Sequence, residues 1–235
     1  MTRTVILAGG RGTRMAGRPK PLVEIAGTPL IEHVIGSFTR YGYQDFLVAL
    51  GHRHEEVSRE LSAAHLTANV DTIDTGRDAG SAERIATLAT ELGEGSFLLS
   101  YCDCLIDIDL DQFLKFHKRG NALVTVAAVR PRLPWGVLEL NGEEDVVRRM
   151  VEKPFAPDLW INAGVFAVEP QALPFVCSGG SSWENDILPD LAEAGKLAAF
   201  RHHGFWRSVE TAKDVLELEE LCVTGQAPWL APARA

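Results

Sequence analysis

Through its first 130 residues the chain alternates β-branched apolar runs with segments of helical hydrophobic spacing, and few architectures accept that rhythm. Arg3–Ala8 reads as a buried strand and Gly9–Pro21 as a loop rich in Gly, Arg and Pro. Pro29–Tyr41 places Leu30, Val34, Ile35 and Phe38 on one helical face. Strands are then predicted over Asp45–Gly51, Asn69–Thr75, Ser96–Asp103 and Ala122–Val129, with helices over His54–Ala64, Ser81–Leu92 and Leu110–Arg119 between them. Strict alternation of this kind predicts an α/β fold, a parallel sheet with helices on both faces and right-handed crossovers. The rhythm breaks after Arg130. Trp135–Asn141 and Val146–Glu152 read as a hairpin around Asn141-Gly142. Trp160–Val168 reads as a strand, Trp183–Ala194 as a helix, Leu197–Val209 as strand-like, and Thr211–Val223 as a final helix closed by Gly225. The sheet should therefore be mixed but mostly parallel, within one domain spanning residues 1–235.

With 235 residues, 46% of them hydrophobic and 23% charged, the chain is large enough for a core that needs no staples. No apolar stretch reaches the roughly 18–20 residues of a membrane span, and Val5–Ala8 is too short for a signal-peptide core. The four cysteines, Cys102, Cys104, Cys177 and Cys222, fit neither a disulfide framework nor a zinc ribbon and read as reduced thiols, so a cytoplasmic protein is expected. The net charge of −9 argues against nucleic acid as a partner. Charge is unevenly spread, however. The first twenty residues hold Arg3, Arg11, Arg14, Arg18 and Lys20, and the first acidic residue is Glu24. A local basic patch on an acidic chain suits a small polyanion.

That patch coincides with the most specific motif, Leu7-Ala8-Gly9-Gly10-Arg11-Gly12-Thr13-Arg14-Met15 followed by Pro19-Lys20-Pro21. Three glycines straight after a first strand let backbone N–H groups approach phosphate oxygens, while Arg11, Arg14 and Lys20 add positive charge. The motif is not a P-loop, lacking Gly-Lys-Ser/Thr, and no G-x-G-x-x-G opens a helix here. Asp103 ends a predicted strand at the carboxyl edge of the sheet, where a carboxylate can hold Mg²⁺ against phosphate or, equally, cap a helix or turn. Glu152-Lys153-Pro154 reads by itself as a solvated strand end or a phosphate contact, and Asn162-Ala163-Gly164 alone is uninformative. Adjacent His202 and His203 on a strand point to opposite faces and should not share a metal. The five tryptophans read as core and cleft wall rather than a nucleic-acid platform.

The loop from Leu7 to Lys20 resembles the signature loop of the sugar-1-phosphate nucleotidyltransferases, and the rest of the chain is most similar to the glucose-1-phosphate cytidylyltransferase branch. The supporting segments are Asp74-Thr75-Gly76, Tyr101-Cys102-Asp103, Phe116-His117-Lys118, Glu152-Lys153-Pro154, Ile161–Gly164, Trp183-Glu184, Gly204-Phe205-Trp206 and Ala227-Pro228-Trp229. The resemblance implies a Rossmann-like fold of the nucleotide-diphospho-sugar transferase type, with 1–130 mainly nucleotide-binding and 131–235 mainly acceptor-binding. It implies nucleotide contacts at Leu7, Ala8, Gly9, Gly10, Gly12, Thr13, Ser81 and Tyr101, and catalytic contacts from Arg14, Lys20 and Lys153. Acceptor contacts fall on Glu152, Asn162 and Gly164. Mg²⁺ is assigned to Asp103 and to Glu210, which replaces the family's aspartate; Asp214 is a weaker substitute. The implied partners are a nucleoside triphosphate, CTP favoured, and a sugar 1-phosphate, serving nucleotide-sugar biosynthesis. The oligomeric state stays open, a homo-oligomer included. Two departures bear on specificity. Ser81-Ala82-Glu83 stands where the family has a run of small residues, placing a bulkier acid near the base, and Cys102 and Cys104 flank Asp103 where glycines are usual. Another nucleotide, another phosphate or phosphonate acceptor, or a non-catalytic nucleotide-binding regulator remain alternatives.

Overall fold

The computed structural model describes residues 3–10, 17–142, 145–156 and 158–232. Strand β1 (Thr4–Leu7) leads through a single 3-10 turn at Lys20–Leu22 and a small β2–β3 pair (Glu24–Ile25, Thr28–Pro29) into helix α1 (Leu30–Thr39). There follow β4 (Asp45–Leu50), α2 (His54–Ala63), β5 (Asn69–Asp74), α3 (Ser81–Leu92), β6 (Phe97–Tyr101), β7 (Cys104–Ile106), α4 (Leu110–Arg119) and β8 (Val124–Val129). The hairpin is β9 (Val137–Leu140) and β10 (Val147–Val151). After β11 (Ile161–Val168) come α5 (Leu173–Ser178), a π turn at Trp183–Ile187 continuing into α6 (Leu188–Glu193), β12 (Leu197–Arg201), β13 (Trp206–Ser208) and α7 (Ala212–Val223).

The main sheet has seven strands in the order β12-β8-β11-β6-β1-β4-β5. Only β11 runs against its neighbours β6 and β8; the other pairings are parallel. The mixed, mostly parallel sheet expected from the alternation is thus observed. Its two faces follow the period-2 geometry of a strand. Ile6, Phe46, Val48 and Leu98 enter one core with Val34, Phe38, Val57, Phe113 and Leu218 of α1, α2, α4 and α7. Val5, Leu47 and Leu99 enter the other with Ile85 and Leu88 of α3, Val176 of α5 and Leu191 of α6.

Several local expectations need correction. Leu197–Val209 is two strands, not one: β12 extends the main sheet beside β8, whereas β13 leaves it and pairs antiparallel with β7. The helix expected over Trp183–Ala194 begins as a π turn, with the Trp183 side chain fully buried. The hairpin forms as expected but carries Leu138, Leu140, Val147 and Met150 exposed, and Trp135 beside it is 72% exposed rather than part of a core or cleft wall. Among the described residues no helix is long and apolar enough to cross a membrane.

The chain builds outward from β1 through β4 to β5 and then crosses to β6 on the other side of β1. That reversal places a topological switch point between β1 and β6. In sheets of this kind the crevice beyond the carboxyl ends of two such strands is the standard ligand position. Gly9 follows β1 there, and Asp103 follows β6.

Candidate active site

A cavity of about 500 Å³ opens at this switch point, lined by Leu7, Gly9, Gly10, Lys20, Pro21, Ala79, Ser81, Arg84, Tyr101, Cys102, Asp103, Glu184 and Glu210. Three groups at its floor form a charged triad. The Lys20 ammonium lies 2.7 Å from Asp103 Oδ2 and 2.8 Å from Glu210 Oε1. Sequence order does not suggest this meeting; strand pairing produces it. Ser208 of β13 stands opposite Cys104 of β7, and the Val209 N–H donates to the Asp103 carbonyl at 2.8 Å. Asp103 and Glu210 therefore emerge side by side from one antiparallel pair. Burial pulls the Lys20 pKa down, but the Asp103 charge and hydrogen bonds to both carboxylates outweigh it, leaving Lys20 above its ordinary value and firmly charged.

Asp214 is committed elsewhere. Its Oδ2 accepts from the backbone N–H groups of Glu210 and Thr211 and from the Thr211 hydroxyl, while the Thr211 hydroxyl accepts from the Asp214 N–H. The pair is a capping box on α7. That arrangement engages one oxygen of Asp214 in the cap and fixes the backbone from which Glu210 projects.

The opposite wall is a hydrogen-bonded chain. Asn162 Nδ2 donates to Tyr101 Oη at 3.3 Å, Tyr101 donates to Glu184 Oε1 at 2.5 Å, and Ser81 donates to Glu184 Oε2 at 2.7 Å. Burial, followed by the neighbouring Glu184 carboxylate, holds the Tyr101 phenol protonated far above its usual range. Asn162 Oδ1 in turn accepts from the Gly164 N–H at 2.7 Å across an irregularity in β11. Gly164 has φ +80°, and a Cβ there would fall 2.8 Å from the Tyr101 ring. Glycine is required on both counts.

Two polar wall residues carry no assigned role in the sequence: Glu184, above, which appears there only within the Trp183-Glu184 segment, and Arg84. The Arg84 side chain is buried at the first turn of α3 and reaches two loop carbonyls, the last carbonyl of β4 and a threonine hydroxyl. It donates to Leu50 O at 3.0 Å, Gly76 O at 2.9 Å, Thr75 Oγ1 at 2.6 Å and Gly9 O at 3.0 Å. A Cβ on Gly9 would lie 2.2 Å from Arg84 Cζ, so the glycine loop is shaped around this guanidinium. The available signal was a lone Arg beside Ile85 and four residues before Leu88, inside the apolar stripe of α3. Glu83, the neighbouring acid expected near the base, turns away instead. Its carboxylate accepts from the Gly80 N–H at 2.6 Å as a helix cap, and it does not line the cavity.

The expected residues divide accordingly. Leu7, Gly9, Gly10, Lys20, Ser81, Tyr101, Asp103 and Glu210 line the cavity, and Asn162 and Gly164 support its Tyr101 wall. Ala8 is buried beneath it, donating to Ala49 O. Glu152 and Lys153 lie exposed at the end of β10, outside the cavity lining. Lys153 nonetheless holds φ +46°, a left-handed backbone rare for a non-glycine residue. Arg11, Gly12, Thr13 and Arg14 fall outside the described residues. Cys102 and Cys104 are buried beside Asp103 with their thiols pushed well above the ordinary value by burial, so neither is a reactive thiolate. His202 bonds Asp107 Oδ1 at 2.9 Å while His203 meets the Trp160 ring edge; both lie just beyond the end of β12 rather than on a strand, and they have separate partners.

Among the described residues no cluster of three or more His, Cys, Asp or Glu side chains forms a ready-made metal site. Asp103 and Glu210 nevertheless converge on one cation, the Lys20 ammonium. Two carboxylates completed by water and phosphate oxygens are the usual complement for Mg²⁺ in a nucleotide site, so the donor set fits a divalent ion.

A glycine loop at a switch point, facing two convergent carboxylates and a lysine, defines an α/β protein built to hold a phosphorylated nucleotide. The nucleotidyl transferase family model matches residues 3–224, and the chain belongs to that family. It is 30% identical over 97% of its length to the glucose-1-phosphate cytidylyltransferase of Salmonella typhimurium, covering 98% of that protein. It is also 30% identical over 99% of its length to the mannose-1-phosphate guanylyltransferase catalytic subunit beta of Danio rerio, covering 66% of that protein. In structure it is similar to HddC from Yersinia pseudotuberculosis, with TM-score 0.74 and 22% identity over 94% of this chain and 99% of that one. The chain is thus an enzyme of the sugar-1-phosphate nucleotidyltransferase kind.

Proposed function

We propose that this enzyme transfers a cytidylyl group from CTP to a sugar 1-phosphate, releasing pyrophosphate and a CDP-sugar. The observation that carries the transferase reading is the Lys20–Asp103–Glu210 triad facing the glycine loop across one cavity. The preference for CTP rests on the likeness to the cytidylyltransferase over nearly the whole of both chains. Because the guanylyltransferase is equally identical over this chain, GTP is the rival nucleotide. Soluble, cytoplasmic action accords with the substrates.

In the proposed step an oxygen of the sugar phosphate attacks the α-phosphorus in line. The bond to the bridging oxygen of the β-phosphate breaks, and its electron pair leaves on pyrophosphate. The attacking phosphate is already an anion near neutral pH, so no general base is needed, and the work is positioning and charge neutralisation. Lys20 neutralises the α-phosphate and Arg14 the departing pyrophosphate. Backbone N–H groups of Gly9, Gly10, Gly12 and Thr13 cradle phosphate oxygens, with Leu7, Ala8, Ser81 and Tyr101 around the nucleoside. Asp103 and Glu210 would hold a divalent cation, Mg²⁺ by preference, which when bound supplies further neutralisation of phosphate charge. Lys153 holds the acceptor phosphate; its left-handed backbone supports a positional role, since such strain persists where the surroundings impose it. Glu152, Asn162 and Gly164 serve the acceptor sugar, so residues 131–235 carry mainly the acceptor side and 1–130 the nucleotide side.

Competition among CTP, GTP, UTP and ATP with glucose 1-phosphate and then mannose 1-phosphate tests the assignment. A CTP preference is expected. A preference for another nucleotide of more than about tenfold, roughly 1.4 kcal/mol, would overturn the base assignment and leave the transferase reading intact.

A further inference from the structure

The Lys20 ammonium occupies the position between Asp103 and Glu210 that the proposed chemistry gives to a divalent cation. An ammonium 2.7 Å from Asp103 Oδ2 and 2.8 Å from Glu210 Oε1 sits between the two carboxylates and repels a second cation at those oxygens. It also lowers the charge of the carboxylate pair from −2 to −1, which weakens the pair's pull on a divalent ion. We propose that Lys20 is a placeholder that keeps the Asp103–Glu210 pair closed to divalent cations until a polyphosphate draws the ammonium away. The inference rests on the proposed function for the identity of the ligand, but the competition between lysine and metal does not depend on turnover.

Geometry and charge balance both support the exchange. Lys20 stands on a single 3-10 turn straight after Pro19, so its anchor is short and its long side chain is the mobile part. Asp103 and Glu210 project from the paired β7 and β13, a more constrained base. In the closed arrangement the pair is half neutralised by Lys20. In the open one a divalent ion neutralises the pair completely, and the ammonium meets phosphate oxygens on the same cavity wall. The exchange therefore takes the pair from partial to full neutralisation. With only polyphosphate able to release Lys20, metal and nucleotide enter together, and free metal alone is held poorly.

The test is a titration of Mn²⁺ into nucleotide-free protein, with free Mn²⁺ read by electron paramagnetic resonance. Wild-type protein should bind weakly. Lys20→Met should bind at least about tenfold more tightly, since it removes a unit charge in contact with the site. Lys20→Arg, which restores a cation, should bind as weakly as wild type. Adding Asp103→Asn to Lys20→Met should abolish the gain. Lys20→Gln carries the same expectation as Lys20→Met and serves if the methionine variant fails to fold, judged by its thermal unfolding without metal. Unchanged or weaker Mn²⁺ binding in the uncharged variants would overturn the proposal, as would a gain that survives Asp103→Asn. Because no substrate is present, a protein inactive toward every nucleotide and sugar phosphate would leave the result standing. A failed Mn²⁺ test would leave the transferase reading standing in turn.

Discussion

The Arg84 guanidinium spends its hydrogen bonds on the carbonyls of Gly9, of Leu50 at the end of β4 and of Gly76, tying the glycine loop to the ends of β4 and β5. Burial pulls its pKa down while Asp74 and Glu83 oppose that, and an arginine stays charged through any such shift. Arg84→Met should strand several acceptors, each costing about 1–3 kcal/mol when buried and unsatisfied. A fall in the urea midpoint and a rise in the nucleotide KM should appear together. A stability loss with normal KM would mean that Arg84 holds the fold without shaping the loop. His33 carries a second residue-scale expectation. It is buried, and its Nε2 faces the Ile25 carbonyl at 3.0 Å while Nδ1 lies 3.3 Å from the Trp229 indole N–H. Nε2 must therefore carry the proton and Nδ1 must accept. Burial depresses its pKa, against the smaller pull of the Ile25 carbonyl. As pH falls below the unfolded value of about 6.5, the unfolded chain takes up a proton that the folded chain refuses, so stability drops. The slope of unfolding free energy against pH just below 6.5 should flatten in His33→Gln; an unchanged slope would refute this.

At the scale of elements, the α7 capping box ties helix stability to the site. Asp214→Ala should cost about 1 kcal/mol of stability from the lost cap. It should also raise the metal concentration for half-maximal rate, because the Glu210 backbone loses its anchor. Glu210→Gln should raise that concentration further with little effect on unfolding temperature; loss of stability without a change in metal dependence would place Glu210 outside the site. These links were only partly legible in the sequence. The alternating elements up to Val129 could be read because each strand is a β-branched or apolar run and each helix has one apolar stripe. The β7–β13 pair could not. Cys104–Ile106 is separated from β6 only by Cys102 and Asp103, too short a break to show a second strand, and Trp206–Ser208 follows β12 after a short break. Only the long-range pairing shows that each leaves its predecessor.

For the whole molecule, the site lies where the order of strand addition reverses, and this explains what the sequence revealed. Gly9, Lys20 and Asp103 follow or flank strand ends and could be named from a motif. Glu210 could be named only through its likeness to a family motif, and Glu184, named only within a resembling segment, received no role because it reaches the cavity from the π turn after Ser182, where local patterning indicates an ordinary helix. Glu83 differs from its expectation for another reason: the family resemblance set it near the base, whereas the first turn of α3 uses its carboxylate as a cap. The most direct test of the central claim is the time course of pyrophosphate release with Mg²⁺ across a panel of nucleoside triphosphates and sugar 1-phosphates. At least one pair should yield pyrophosphate and NDP-sugar in equal amounts, only when both substrates are present, and Lys20→Met should slow it by about 10²–10³-fold. Absence of pyrophosphate from every pair, or a Lys20→Met rate close to wild type, would contradict the account.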